Sequence, residues 1–153
     1  MRKILTIITG VLITCCGNSE KEQAEQLLLE AQTHFEQGDI ETARANVDSL
    51  RKTFPNIVQA RRGALKLYQE IELKAAQNEL VRTDSLLKIA NQKLISIQTK
   101  VESDKASLKA TPEELTLLTR TRIWRDSIRT QFETLGAKIH YIRQKQKEAE
   151  SEE

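Results

Sequence analysis

Most of the residues that usually carry chemistry are missing from this chain. Its two cysteines are adjacent, Cys15 and Cys16, so no disulfide can staple anything that follows them. The two histidines, His34 and His140, lie far apart in sequence, and a zinc site would lack ligands. There is no Gly-rich phosphate loop, no nucleophile elbow and no His-Glu-x-x-His. The acidic pairs Glu113-Glu114 and Glu152-Glu153 read as a helix start and a solvated tail, because paired catalytic carboxylates need a cleft. Catalysis should leave ionisable groups able to act together, and none are evident, so the expectation is no enzyme, no cofactor and no metal.

Other scarcities bound the fold. Aromatic residues make up 4 %, too few for a thick globular core, while five Gly and two Pro leave long helices uninterrupted. Neither sign of charge dominates. Removing Arg2 and Lys3 from the 24 basic residues leaves as many bases as the 22 acids, which argues against nucleic acid as a partner. Ile4 to Thr14, eleven residues, is an uncharged and mostly apolar run. It is too short to cross a hydrocarbon core, which takes about twenty residues.

What the chain does have is periodicity. One seat of a heptad is filled by Leu73, Leu80, Leu87, Leu94, Val101 and Leu108, and the seat three residues on by Ala76, Thr83, Ala90, Ile97 and Asp104. A seven-residue repeat sustained this long, with no Gly or Pro, predicts a long helix with a coiled-coil seam. The second seat is mostly small, so a partner helix can approach closely at alternate layers. The expected fold class is all-α.

The amino terminus carries a second pattern. Arg2 and Lys3, the apolar run and then small residues form a secretory signal peptide. Leu12-Ile13-Thr14-Cys15-Cys16-Gly17 resembles the lipobox of bacterial lipoproteins. That resemblance implies a cysteine thiol carrying diacylglycerol, with cleavage just before it and further acylation such as palmitate. Cys16 is the better acceptor, with Ile13 and Thr14 in the apolar and small seats and Cys15 standing in for Ser, Ala or Gly. Cys15 is the alternate. A vicinal disulfide would strain the peptide between the two, and a metal pair needs wider spacing.

Two short helices should follow a polar stem at Gly17 to Glu22. Ala24, Leu27, Leu28, Ala31 and Phe35 share one face, Gly38 ends that helix, and Asp39 caps the next. Ile40, Ala43, Val47 and Leu50 line the second helix up to Phe54-Pro55. Leu27 to Pro55 is similar to a single tetratricopeptide repeat, through Ala31, Phe35, Gly38, Asp39, Ile40, Ala43 and Pro55. A following repeat would need a second Gly-Asp turn after Tyr68, where Glu70-Ile71-Glu72-Leu73 is plain helix. One such hairpin cannot bury its own faces, so a third helix, with Ile57, Ala60, Ala64, Leu67 and Ile71, must cover it.

The third helix is expected from Asn56 to Leu108, roughly 53 residues and about 80 Å. Thr111-Pro112-Glu113-Glu114 then supplies a cap, a first-turn proline and a capping-box glutamate. The fourth helix should seat Leu117, Thr121, Trp124, Ile128, Phe132, Leu135, Ile139 and Ile142, with Trp124 beside Ile97 and Leu135 beside Leu87. Because the link from Lys109 to Thr111 is short, the two helices should pair antiparallel. Arg120, Arg122, Arg125 and Arg129 crowd around Trp124. Arg122, Trp124, Arg125 and Arg129 either form a partner contact with Trp124 as its anchor, or the arginines pair with Asp104, Asp126 and Glu133 while Trp124 fills the seam.

The expected order is a signal peptide at 1–15, a lipidated flexible tether at 16–22, and a tetratricopeptide-like region at 23–72. An antiparallel coiled-coil arm at 73–142 and a charged, fraying tail at 143–153 complete it. The functional expectation is a non-catalytic interaction scaffold or spacer, lipid-anchored in the envelope of a Gram-negative bacterium. The outer membrane is favoured because no acidic residue follows Cys16 directly. Its partners would be the membrane and another envelope protein. The alternative is a self-associating coiled coil, with a homodimer as the partner.

Overall fold

The computed structural model describes residues 16–151, and it is all-α: α1 (Cys16–Glu36), α2 (Ile40–Thr53), α3 (Val58–Ala106) and α4 (Pro112–Ser151). The chain divides into two compact units between Leu65 and Lys66, inside α3. The signal-peptide stretch at 1–15 lies outside the described residues, as do Glu152 and Glu153.

In the first unit, α1 and α2 pair as a hairpin. Its core is built largely from small side chains: Ala24, Ala31, Ala43, Ala60 and Ala64 are buried, with Val47 and Leu50 fully enclosed. Alanine lets helix backbones come close, and Gly63 on α3 goes further. A Cβ built on Gly63 would stand 2.5 Å from the end of the Leu28 side chain, so the opening turns of α3 lie tightly against α1.

The turn between α1 and α2 follows from two residues. Gly38 adopts φ +83°, a region that costs glycine nothing. Its N–H donates to Phe35 O at 3.0 Å and that of Asp39 to His34 O at 2.9 Å, the paired bonds of a Schellman cap. Asp39 then accepts from the Thr42 N–H at 3.1 Å and opens α2. Phe54 closes α2, its N–H donating to Leu50 O.

In the second unit α3 and α4 fold back on each other as an antiparallel pair. Leu94, Val101 and Leu118 form one buried cluster with Ile97 packed on it. Lys138 on α4 donates to Glu72 on α3 at 2.6 Å, far from the turn. Along α3 every expected seat from Leu73 to Asp104 is buried or half-buried, and Ala76, Thr83, Ala90, Leu94 and Val101 are buried outright. Leu108 is the exception, 96 % exposed at φ 56°. The helix stops at Ala106, and Leu108 holds the left-handed position of the cap instead of continuing the seam.

Several expected boundaries move. Helix α1 includes residues 16–22, placed above in a flexible tether. Lys21–Glu25 at 3.6 Å and Gln23–Ser19 at 3.3 Å link successive turns there, the i,i+4 pairing that supports an exposed helix. Helix α4 likewise runs through the tail expected to fray, where Glu148 accepts from Lys145 at 2.6 Å and from Gln144 at 2.9 Å. Helix α3 begins at Val58, two residues late, because the chain bends first through Pro55 and Asn56.

Candidate functional site

The seam of α4 fixes where its basic and aromatic residues point. Its inward positions are Leu118, Thr121, Arg125, Ile128, Phe132, Leu135, Ile139 and Ile142, each buried or half-buried. These alternate strictly by three and four. The row expected from hydrophobicity needed two successive steps of four, at Trp124, Ile128 and Phe132. Regularity prevails because two straight helices keep contact only along a constant stripe. Leu117 is therefore exposed in place of Leu118, and Trp124 is 40 % exposed while Arg125 turns inward.

The cluster around Leu118 sets the register. Carried along both helices by heptads, it brings Thr121 level with Leu94, Arg125 with Ala90, Ile128 with Leu87, Phe132 with Thr83, and Ile139 with Ala76. Bulk on α4 thus faces small residues on α3 in alternate layers. Trp124 falls six residues, about 9 Å along α3, from its expected neighbour Ile97, with the Lys93 ammonium 5.8 Å from its ring centroid. Leu135 falls level with Leu80 rather than Leu87.

The four expected contact residues consequently do not gather. Arg122 and Arg129 share one flank of the seam, and Arg129 pairs with Glu133 at 3.1 Å. Arg125 occupies the seam, its Nε buried without a hydrogen bond although Asp126 Oδ1 is 2.8 Å away. Its long stem covers apolar surface while the side chain keeps 27 % of its exposure, the behaviour of an arginine that reaches out to water. Trp124 stands on the opposite flank. Asp104, expected to pair with these arginines, instead takes Lys100.

The turn between α3 and α4 is a second organised site. The N–H groups of Leu108 and Lys109 donate to Lys105 O at 3.0 Å and Asp104 O at 2.7 Å. Glu114 N–H donates to Thr111 Oγ1 at 3.2 Å, and Thr111 N–H returns a bond to Glu114 Oε2 at 3.0 Å, completing the expected capping box. Lys100 Nζ donates to Asp104 at 3.0 Å and to Glu114 across the helices. The ammonium, followed by the Thr111 N–H, holds the Glu114 carboxyl below its usual range, and the two carboxylates raise the Lys100 ammonium in return.

Cys16 is the first residue of α1, and the alternate acceptor Cys15 lies outside the described residues. His34 Nδ1 is 3.6 Å from Asp39 Oδ2 at the first turn, and His140 is exposed on α4. Among the described residues no three His, Cys, Asp or Glu side chains converge as a metal site, and no helix is long and apolar enough to cross a membrane. No family model, curated protein or solved structure matches the chain.

Sequence reasoning missed Arg125 as a seam residue and Leu86 and Ile89 as exposed apolar positions on α3. The signal for the first was present: stepping back from Ile128 by three, four and three lands on Arg125, Thr121 and Leu118.

Proposed function

We propose that the protein is a lipid-anchored, non-catalytic scaffold or spacer of the bacterial cell envelope. The observation that carries this reading is the amino-terminal pattern, Arg2-Lys3, then Ile4 to Thr14, then Cys15-Cys16-Gly17. Diacylglycerol on Cys16 would hold the chain at the membrane, and the outer membrane is the favoured site. The tetratricopeptide-like hairpin and the long helix pair would present side chains to another envelope protein. The seam of the long pair is shared between α3 and α4 of one chain, which favours this reading over a coil that self-associates through that seam.

Intact mass of the membrane-extracted protein, with Cys15→Ser and Cys16→Ser beside it, tests the proposal. Expected are a mass gained by three acyl chains, cleavage before Cys16, and loss of membrane association in Cys16→Ser alone. An unprocessed chain without lipid would overturn it.

A further inference from the structure

Two short rows of side chains on one flank of the second unit form a surface of consistent chemistry. On α3, Leu86, Ile89 and Lys93 recur at three- and four-residue spacing, and on α4 so do Leu117, Arg120 and Trp124. Such spacing keeps each row on one helix face. The Lys93–Trp124 contact shows that both rows border the same side of the seam. Leu86 is 39 %, Ile89 54 % and Leu117 47 % exposed, large fractions for apolar side chains set so close together. In the register set by Leu118 the six residues span about 18 Å, three turns of helix.

The charge on this surface has one sign. Among the described residues neither Lys93 nor Arg120 pairs with a carboxylate; Asp84, Asp126 and Glu133 belong to the opposite flank, and Glu113 and Glu79 continue the two rows only beyond the ends of the patch. Beneath it the seam is only partly closed, because Leu87, Ile97 and Phe132 remain half-buried. Two helices cannot enclose a seam that three can.

We propose that this flank binds an amphipathic helix with acidic edges from another protein, laid along the groove between α3 and α4 as a third strand. Leucine-type residues of that helix would cover Leu86, Ile89, Leu117 and Trp124, while its Glu or Asp edges meet Lys93 and Arg120. A second copy of the same flank is disfavoured, since two-fold pairing would bring the Lys93 and Arg120 charges of both chains together. A membrane surface fits less well. The apolar residues are divided between two helices with Lys93 and Arg120 set among them, rather than forming one continuous apolar edge. The inference deepens the scaffold reading by naming the chemistry of its partner, and it concerns residues remote from the lipidated terminus.

Trp124 is the only tryptophan, so its emission reports on this surface alone. The test places the full chain in neutral phosphatidylcholine nanodiscs and titrates two designed amphipathic helical peptides, identical except for Glu or Lys at the edges. The expected result is a saturable blue shift with the Glu-edged peptide, at least tenfold weaker with the Lys-edged one. Lys93→Glu/Arg120→Glu should reverse that preference with an unchanged thermal melt. Ile89→Ser should weaken both peptides.

Equal affinity for the two peptides, no shift with either, or a preference that survives the double reversal would overturn the proposal. So would a blue shift in anionic nanodiscs without peptide, abolished by the same reversal, if the Glu-edged peptide did not bind. Lipid mass at Cys16 is read separately, so failure of the anchoring account and failure of the docking account remain distinguishable.

Discussion

Gly38 and Leu108 occupy the same place in two turns of one design. Each is the left-handed residue that ends a helix, each is followed by a second N–H bonded back to the last turn, and each leads to a side-chain cap for the next helix. In the first turn glycine fits at no steric cost. In the second a leucine takes a conformation that costs about 1–2 kcal/mol for a residue with a Cβ. The second turn compensates with more polar contacts: a reciprocal capping box, and Lys100 joining Asp104 to Glu114 across the helices.

The packing behind the turns differs in the same sense. The first unit encloses alanines and whole side chains such as Leu50, whereas the second leaves Leu73, Leu80 and Leu87 half-buried along its seam. Local cost is carried most easily where the surrounding contacts are many. The first hairpin has the undemanding turn and the tighter core. The second must hold by length, through many moderate layers.

The largest way to break this contrast is in the cores. Leu50→Ala should cost about 2–5 kcal/mol, and Leu87→Ala clearly less, because that side chain is only partly buried. Denaturant unfolding of both variants checks the order, and equal losses would remove the distinction between the two units.

The turns come next, and their substitutions should have opposite signs. Gly38→Ala should destabilise by about 1–2 kcal/mol. Leu108→Gly should stabilise by about 0.5–1 kcal/mol, since relief of the left-handed leucine exceeds the extra unfolded-state freedom of glycine. A loss of stability in Leu108→Gly would show that the leucine makes a contact worth more than its strain.

Capping differs in acid as well. Thr111→Ala should cost about 1 kcal/mol. The Asp39 carboxyl is lowered by its bonds from Thr42, with His34 adding to the effect, and the Glu114 carboxyl is lowered by Lys100 and Thr111. Groups held below their unfolded values contribute stability above those values, near pH 3.8 and 4.5, and lose it as pH falls through the folded ones. Lys100 acts in reverse, contributing below pH 10.5 and losing it as pH rises past its raised value. The second turn should therefore loosen below about pH 4.5 and the first below about pH 3.8, and only the second should loosen above about pH 10.5. Amide exchange at Asp39 and Lys109 across pH would separate them.

The smallest effect is at Gly136, an exposed glycine inside α4 where an added Cβ would meet nothing. Gly136→Ala should raise stability by about 0.5–1 kcal/mol, seen as a higher midpoint of denaturation.

Much of this was legible in the sequence because the determinants are local. Gly38-Asp39 and Thr111-Pro112-Glu114 specify their turns by themselves, and the α3 seam can be read from its heptads. The misplaced features depend on something beyond local preference. Trp124 is more apolar than Arg125, and Leu117 is as apolar as Leu118, yet the inward row is chosen by the period shared between two helices. Leu108 fits the heptad, and only the turn that follows takes it out of the helix. The ends of α1 and α4 extend through charged residues whose pairing one turn apart outweighs their lack of a core. The contact surface was harder to read, because Arg122, Arg125 and Arg129 are near one another in sequence while Lys93 and Trp124 meet only across the seam.

The measurement closest to the centre of this account is the distance between spin labels at Ser85 and Thr130, one on each long helix and both exposed. If the helices fold back within one chain at Leu108, the labels should lie within about 30 Å, at an interaxial spacing of about 10 Å plus the reach of two labels. Dilution with unlabelled protein should leave that distance unchanged. A separation near 65 Å, as along one straight helix, or a short distance that vanishes on dilution, would contradict the intrachain pairing.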